Sequence, residues 1–153
     1  TILACSDSRV PPELVFDAGF GELFVVRVAG NVLGSAVAGT LQYAKVHLHT
    51  PLFVVMGHQG CGAVKAAIAA KFEGASHRER IELLLENILP SLDGVDATLP
   101  AAALLDAAVE ANVRRTVRQL RASAEGQTAL ASGAMKLVGA VYDLDTGRVR
   151  FLE

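Results

Sequence analysis

Four side chains of the kinds that bind zinc lie in two short polar segments of this sequence. Cys5 and Asp7 belong to the first segment, and His58 and Cys61 belong to the second. Residues two apart on an extended chain point the same way, and His58-x-x-Cys61 at a turn brings an imidazole and a thiolate together. Two thiolates and one imidazole suit Zn²⁺ in a tetrahedral field. Three apparent ligands leave a fourth position for water or for Asp7, which favours a catalytic zinc over a structural one.

Other interpretations fit the same two cysteines. Cys5 and Cys61 could form a single disulfide or a redox pair, or could be two unconnected core residues. A thioredoxin-like redox motif would need Cys-x-x-Cys, which the sequence lacks. Two cysteines in 153 residues also do not make a disulfide scaffold.

Asp7 and Arg9 lie two residues apart and could form a bidentate ion pair. Alone, such a pair is an ordinary salt bridge. Beside a zinc ion held by two thiolates, which is a weaker Lewis acid, a fixed acceptor that orients the attacking oxygen gains importance. Asp7 is predicted to be that acceptor, with Arg9 keeping it ionised. The same carboxylate could instead bind the zinc and displace water, a closed state expected to prevail at lower pH.

The elements around these segments predict an α/β fold. A mostly parallel central sheet of about four strands, with an antiparallel C-terminal edge strand, is expected to be flanked by helices. Both polar segments follow the carboxyl end of a predicted strand, where open α/β sheets bind ligands. The predicted strands span 2–5, 23–29 (buried on both faces), 52–57, 137–144 and 149–152. The predicted helices span 34–47, 63–72, a segment from a capping box at Ser76 and Glu79 to Pro90, and 101–122, the last with Leu105, Val109, Val113, Val117 and Leu120 facing inward.

Composition excludes several classes of protein. Hydrophobic residues make up 52% of the chain and charged residues 20%, which excludes a disordered protein. The net charge of −2, without a block of like charge, argues against nucleic acid as a partner. The longest strongly apolar run, residues 52–56, is too short to span a bilayer. We expect one domain over residues 1–153.

Three blocks of the sequence resemble the signature segments of β-class carbonic anhydrases. They are Cys5-Ser6-Asp7-Ser8-Arg9-Val10-x-Pro12, Phe24-Val25-Val26-Arg27-x-Ala29-Gly30-Asn31 and Gly57-His58-x-x-Cys61-Gly62-Ala63. The segment from Gly139 to Gly147 is similar to the family's last strand and hairpin. The blocks occur in the family's order along the whole chain.

The resemblance implies an enzyme with one Zn²⁺ per chain, held by Cys5, His58 and Cys61, with Asp7 as a fourth ligand or as the partner of Arg9. The implied reaction is the reversible hydration of CO2 to bicarbonate and a proton by zinc-bound hydroxide, which the Asp7–Arg9 dyad orients. Gly62 would present its N–H near the bound substrate. A homodimer or a dimer of dimers is implied as well.

Two departures from the family pattern qualify these expectations. The chain opens at Thr1 inside an apolar run, so the family's N-terminal helical arm is expected to be missing from it. A cytoplasmic location is expected, with a periplasmic one or fusion to a membrane protein as alternatives.

The sequence also contains no Trp, so the Trp–Arg–Tyr bicarbonate site of some members cannot exist in its usual form. An open, water-bound zinc near neutral pH is therefore expected.

Two further functions stay open on the same residues. One is hydrolysis of a CO2 analogue, carbonyl sulfide or carbon disulfide, on the same scaffold. The other is a non-catalytic zinc-binding regulatory domain. A regulatory domain would need none of Asp7, Arg9 and Gly62, which argues against it.

Overall fold

The computed structural model describes residues 1–152. Strands and helices alternate through most of the chain. The strands are β1 Ile2–Ala4, β2 Val25–Arg27, β3 Leu52–His58, β4 Lys136–Tyr142 and β5 Val149–Leu152. The α-helices are α1 Pro12–Val15, α2 Ser35–His47, α3 Gly62–Phe72, α4 Glu79–Leu85, α5 Ala101–Ala122 and α6 Ala124–Ala131, with 3₁₀ turns at Ala29–Asn31 and Leu89–Leu92.

One five-stranded sheet organises the fold in the order β2-β1-β3-β4-β5. The first four strands are parallel, and β5 pairs antiparallel with β4. The predicted fold class is therefore confirmed. Ala4 at the end of β1 lies beside Arg27 of β2 and Met56 of β3. The carboxyl ends of these three strands thus meet at one edge of the sheet.

The prediction that the second strand is buried on both faces is wrong. β2 covers only Val25–Arg27 and lies at the edge of the sheet, with Val26 buried, Val25 half-buried and Arg27 exposed. An edge strand pairs along one side only, and short edge strands are common in native sheets. The apolar run that predicted a buried strand instead continues into the loop and 3₁₀ turn that follow.

The predicted capping box at Ser76 does not form. α4 begins at Glu79, and its N-cap residue is Arg78, which makes no side-chain cap hydrogen bond. Glu82 Oε1 instead accepts a hydrogen bond from the backbone N–H of His77, at 3.2 Å. The helix also ends at Leu85, well before Pro90. The amides of Asn87 and Ile88 bond to carbonyl oxygens three residues back, which is the 3₁₀ pattern, and Pro90 has no N–H to donate.

The 22-residue helix α5 has the predicted bounds, and its inward face is broader than predicted. Leu105, Val117 and Leu120 are half-buried and pack against the apolar core. The buried positions are Leu104, Ala108, Val109, Asn112, Val113 and Thr116. Helix α6 was not predicted; its N-terminus is capped by Ser123 Oγ, which accepts from the Gly126 N–H at 3.0 Å. No helix within residues 1–152, α5 included, is long and apolar enough to cross a bilayer.

Helix α5 lies unusually close to the middle of the sheet, and Gly57 of β3 permits this approach. A methyl group at Gly57 would lie 2.6 Å from Val113 Cγ2 and 3.1 Å from Val109 Cγ1. Carbon atoms attract each other best near 3.5–4.0 Å, so no side chain fits between the strand and the helix. A methyl at Gly139 of β4 would meet Val113 in the same way, at 2.9 Å.

Replacing Gly57 by alanine is therefore expected to lower the free energy of unfolding by about 1–3 kcal/mol, the usual cost of overpacking a core. Urea unfolding followed by circular dichroism measures the change. Gly94→Ala is the matched control, because a methyl there meets no atom within 4 Å in the part of the chain that the structure describes. Equal stability of the two variants would contradict the close approach of α5 to the sheet.

Candidate metal centre

Three potential metal ligands converge at the carboxyl edge of the sheet. Cys5 follows the last residue of β1, His58 ends β3, and Cys61 is the N-cap of α3. The two sulfur atoms lie 4.0 Å apart. The sulfurs and a ring nitrogen of His58 all lie within 4.8 Å of one another, and all three residues are buried. They are therefore positioned to hold one metal ion.

His58 carries the observation that best fits a metal. Its Nδ1 lies 2.9 Å from the carbonyl oxygen of Gln59, an acceptor that requires the proton on Nδ1. Its Nε2 is buried and, among the described residues, has no hydrogen-bond partner. Burying an unpaired nitrogen lone pair is costly, and a metal ion satisfies it. Backbone anchoring of the second ring nitrogen is the usual arrangement for a metal-binding histidine.

The two thiols lie within hydrogen-bond distance of each other. Their hydrogen bond lowers the pKa of Cys5 to about 4. The same bond, together with burial, raises the pKa of Cys61. Cys5 Sγ also accepts the backbone N–H of Gly30 at 3.4 Å, which favours its thiolate form. Because zinc binds thiolates, metal binding is expected to release the proton of Cys61.

Asp7 and Arg9 form the predicted bidentate ion pair beside these ligands. Arg9 Nε donates to Asp7 Oδ1 at 2.9 Å and Nη2 donates to Oδ2 at 2.8 Å. This bond, with the Arg9 backbone N–H as a further donor, holds the pKa of Asp7 well below its usual range. Asp7 Oδ2 lies 4.0 Å from His58 Nε2. Asp7 is therefore adjacent to the metal ligands but engaged with Arg9, and its role as a fourth ligand stays a prediction.

Gly62, the predicted substrate-pocket residue, is exposed as the first residue of α3. A methyl group on Gly62 would meet no atom of the described residues within 4 Å. A side chain at this position would thus project into the open space next to Cys61 rather than into the core. The assignment of Gly62 to a substrate pocket stays a prediction.

Sequence reasoning missed the side chains that hold the two ligand segments in place. Arg27, at the edge of the sheet, donates to the carbonyl oxygens of Cys5, at 2.9 Å, and Asp7, at 2.5 Å. Gln59 donates to Asp145 Oδ2 and accepts the Leu144 N–H, which ties the His58–Cys61 segment to the β4–β5 turn. Arg27 could have been noticed as a charge within an apolar strand. Gln59 gave no comparable signal, because polar residues are common in turns.

Comparison with known proteins agrees with this arrangement. The carbonic anhydrase family model matches residues 1–149. The chain belongs to the β-carbonic anhydrase family. Carbonic anhydrase 2 of Mycobacterium tuberculosis is 39% identical over 153 residues, which cover 96% of this chain and 70% of that protein. The carbonic anhydrase of Mycolicibacterium smegmatis is 42% identical over 151 residues, with 97% and 71% covered.

A solved structure supports the assignment from the fold. The Coccomyxa β-carbonic anhydrase in complex with acetazolamide has a TM-score of 0.88 and 31% identity to this chain. The match covers 99% of this chain and 70% of that one. Carbonic anhydrases of this family use zinc, and the donor set of Cys5, His58 and Cys61 fits that metal.

The protein is expected to bind one Zn²⁺ per chain, and removal of a ligand is expected to abolish this. Metal analysis of His58→Ala and Cys5→Ser should give close to no zinc after dialysis. His47→Ala is the control, since the His47 ring packs at a tilt against Tyr43 and takes no part in the cluster. Full zinc content in His58→Ala would exclude the proposed donor set.

Proposed function

We propose that this chain catalyses the reversible hydration of CO2 to bicarbonate and a proton. The observation that carries the proposal is the buried Nε2 of His58, which has no hydrogen-bond partner within residues 1–152 and faces two sulfurs beside an Asp7–Arg9 ion pair. A metal held only for structure would have no use for that ion pair at its edge. Membership of the β-carbonic anhydrase family supports the same reaction.

Cys5, His58 and Cys61 are proposed to hold the zinc. When bound, a zinc ion supplies Lewis acidity that makes water a nucleophile near neutral pH. Two thiolates donate more electron density than imidazoles would, which weakens that effect. The protein therefore has to contribute more to the orientation of the nucleophile, and the nearest group able to do so is Asp7.

Asp7 is proposed to accept a hydrogen bond from the attacking oxygen and so to direct its remaining lone pair at the carbon of CO2. Arg9 supports this in two ways. It holds the carboxylate in one orientation through two bonds, and it keeps Asp7 ionised, hence an acceptor only. Bond formation between oxygen and carbon yields bicarbonate, and the proton lost from water passes to buffer.

Two finer proposals follow from the surroundings of the dyad. Gly62 is proposed to leave space for the substrate and to offer its N–H at the start of α3, where free amides favour a developing anion. The Asp7 carboxylate is held by Arg9 rather than directed at the ligands, which supports an open fourth position near neutral pH. Release of Asp7 from Arg9 would permit the closed state at lower pH.

Stopped-flow CO2 hydration together with zinc analysis on one preparation tests the function. The wild-type protein should combine one zinc per chain with rapid turnover. Asp7→Asn should keep its zinc and lose about 100-fold or more in kcat, the usual contribution of a positioned proton-accepting group. Asp96→Asn, an exposed aspartate outside the site, is the control.

Three outcomes would overturn parts of this proposal. Full activity of Asp7→Asn would exclude the orienting dyad. Zinc without CO2 hydration, but with turnover of carbon disulfide, would assign the chain to hydrolysis of a CO2 analogue. Zinc without either activity would assign it a regulatory role.

We also propose that the chain forms a homodimer or larger homo-oligomer through the side of the fold next to β2. Large apolar side chains are exposed there: Phe20 lies in the loop before β2, and Tyr43 and Val46 lie on α2. The stacking of Phe24 on Tyr43, with ring centres 6.3 Å apart, joins this loop to the helix. Exposed apolar groups concentrated on one side of a protein are typical of an interface.

Val46→Arg is expected to shift the protein toward monomer, because a charge buried in an apolar interface lacks a partner. Analytical ultracentrifugation measures the change in mass. Leu83→Arg, at an equally exposed position of α4, is the control and should leave the mass unchanged. A monomeric wild-type protein, or an oligomer that dissociates only with Leu83→Arg, would contradict the proposed interface.

A further inference from the structure

We propose that Asn112 of α5 is a positioning residue for the metal ligand Cys5 and acts through the backbone of Gly30. The inference rests on the proposed zinc centre. The Asn112 side chain binds the carbonyl oxygen of Gly30, whose own N–H binds Cys5 Sγ. Asn112, which lies 82 positions from Gly30 in the sequence, thereby orients a hydrogen bond to the metal ligand.

The Gly30–Asn31 peptide is held at both ends. Asn112 Nδ2 donates to the Gly30 carbonyl oxygen at 2.7 Å, and the Asn31 N–H donates to the Val28 carbonyl at 2.9 Å. Gly30 has a φ of 69°, in the left-handed region that glycine adopts readily. With the peptide after Gly30 fixed, the N–H before it stays directed at Cys5 Sγ, 3.4 Å away.

No side chain other than hydrogen fits at Gly30. A methyl group there would lie 2.7 Å from Ile88 Cδ1 and 3.3 Å from Ala63 Cβ. The backbone of the 3₁₀ turn Ala29–Asn31 thus lies tightly against Ala63 and Ile88. Without the bond from Asn112, however, nothing in this apolar contact fixes the direction in which the Gly30 amide points.

A contribution to the stability of the fold does not explain an asparagine at position 112. It is 1% exposed, and its Oδ1 has no hydrogen-bond partner among the described residues. A buried polar group satisfied at only one end costs stability that a leucine of similar size would avoid. Its position between Val109 and Val113, on the face that packs on the sheet, would suit an apolar side chain.

The hydrogen bond from Gly30 to Cys5 explains why an asparagine that lowers stability is useful at this position. An N–H that points at a thiolate stabilises its negative charge and reduces the electron density it donates to a metal. Partners of this kind orient metal ligands and tune the metal, and their loss typically costs about 10- to 100-fold in metal affinity. Asn112 is therefore expected to affect the binding of zinc and the electronic character of the Cys5–metal bond.

Asn112→Leu tests the inference, with Thr116→Val as the matched control. Thr116 is equally buried one turn further along α5 and reaches the neighbouring Asn31 carbonyl, at 3.5 Å, instead of Gly30. We expect Asn112→Leu to bind zinc about 10- to 100-fold more weakly in competition with a chelator. The thiolate-to-metal charge-transfer band of the Co²⁺-substituted protein should also shift. Thr116→Val should match the wild type in both.

A nuclear magnetic resonance measurement reads the bond itself. In protein loaded with ¹¹³Cd²⁺, the Gly30 amide should show scalar coupling to the metal through Cys5 Sγ, and Asn112→Leu should lose it. If Asn112→Leu does not fold, Asn112→Ala, which leaves a cavity instead of new bulk, replaces it in all measurements.

The outcomes separate this inference from the proposed function. A wild-type protein that binds no metal would overturn the zinc centre and this inference together. A wild-type protein that binds zinc, with unchanged affinity, Co²⁺ spectrum and Gly30–¹¹³Cd coupling in Asn112→Leu, would overturn the role of Asn112 and leave the proposed function intact. An equal loss in Thr116→Val would show a general effect of α5 packing and would also overturn it.

Discussion

The site depends on one constraint: β1 and β3 are parallel neighbours that end at the same edge of the sheet. Ala4 pairs with Met56. Cys5, which follows Ala4, and His58, which ends β3, therefore lie close together at this edge of the sheet. Parallel pairing of these strands requires a crossover, which α2 and β2 provide. An antiparallel pair would put the first cysteine and the histidine at opposite ends. The register of β1 and β3 therefore brings Cys5 and His58 together through backbone pairing alone.

Two buried polar atoms near this edge of the sheet have unsatisfied hydrogen-bonding capacity. His58 Nε2 and Asn112 Oδ1 are both buried without a partner in the part of the chain that the structure describes. Each such group costs about 1–3 kcal/mol, a large fraction of the 5–15 kcal/mol by which a typical domain is stable. A metal ion would offset the first of these costs. Folding and metal binding are therefore expected to be coupled.

The sequence was sufficient for the donor types and the architecture but not for the groups that support them. The residue types alone indicate possible metal ligands at Cys5, Asp7, His58 and Cys61, and strand periodicity places them at strand ends. Arg27 and Gln59 act on backbone carbonyls and a distant turn, contacts that depend on tertiary geometry alone. Asn112 did leave a trace, as a polar residue three positions after Val109. Apolar periodicity alone does not show that a polar residue next to the inward face of α5 is buried.

Close packing in the middle of the sheet and the position of Asn112 both come from helix α5. With no side chain at Gly57 or Gly139, Val113 can enter the space above β3 and β4. Asn112, the residue before Val113, reaches the Gly30 carbonyl oxygen at 2.7 Å. Val109 meanwhile packs in the same apolar cluster as Cys5 and Cys61. The close packing in the middle of the sheet and the orientation of a backbone amide at its edge thus both depend on the placement of this one helix.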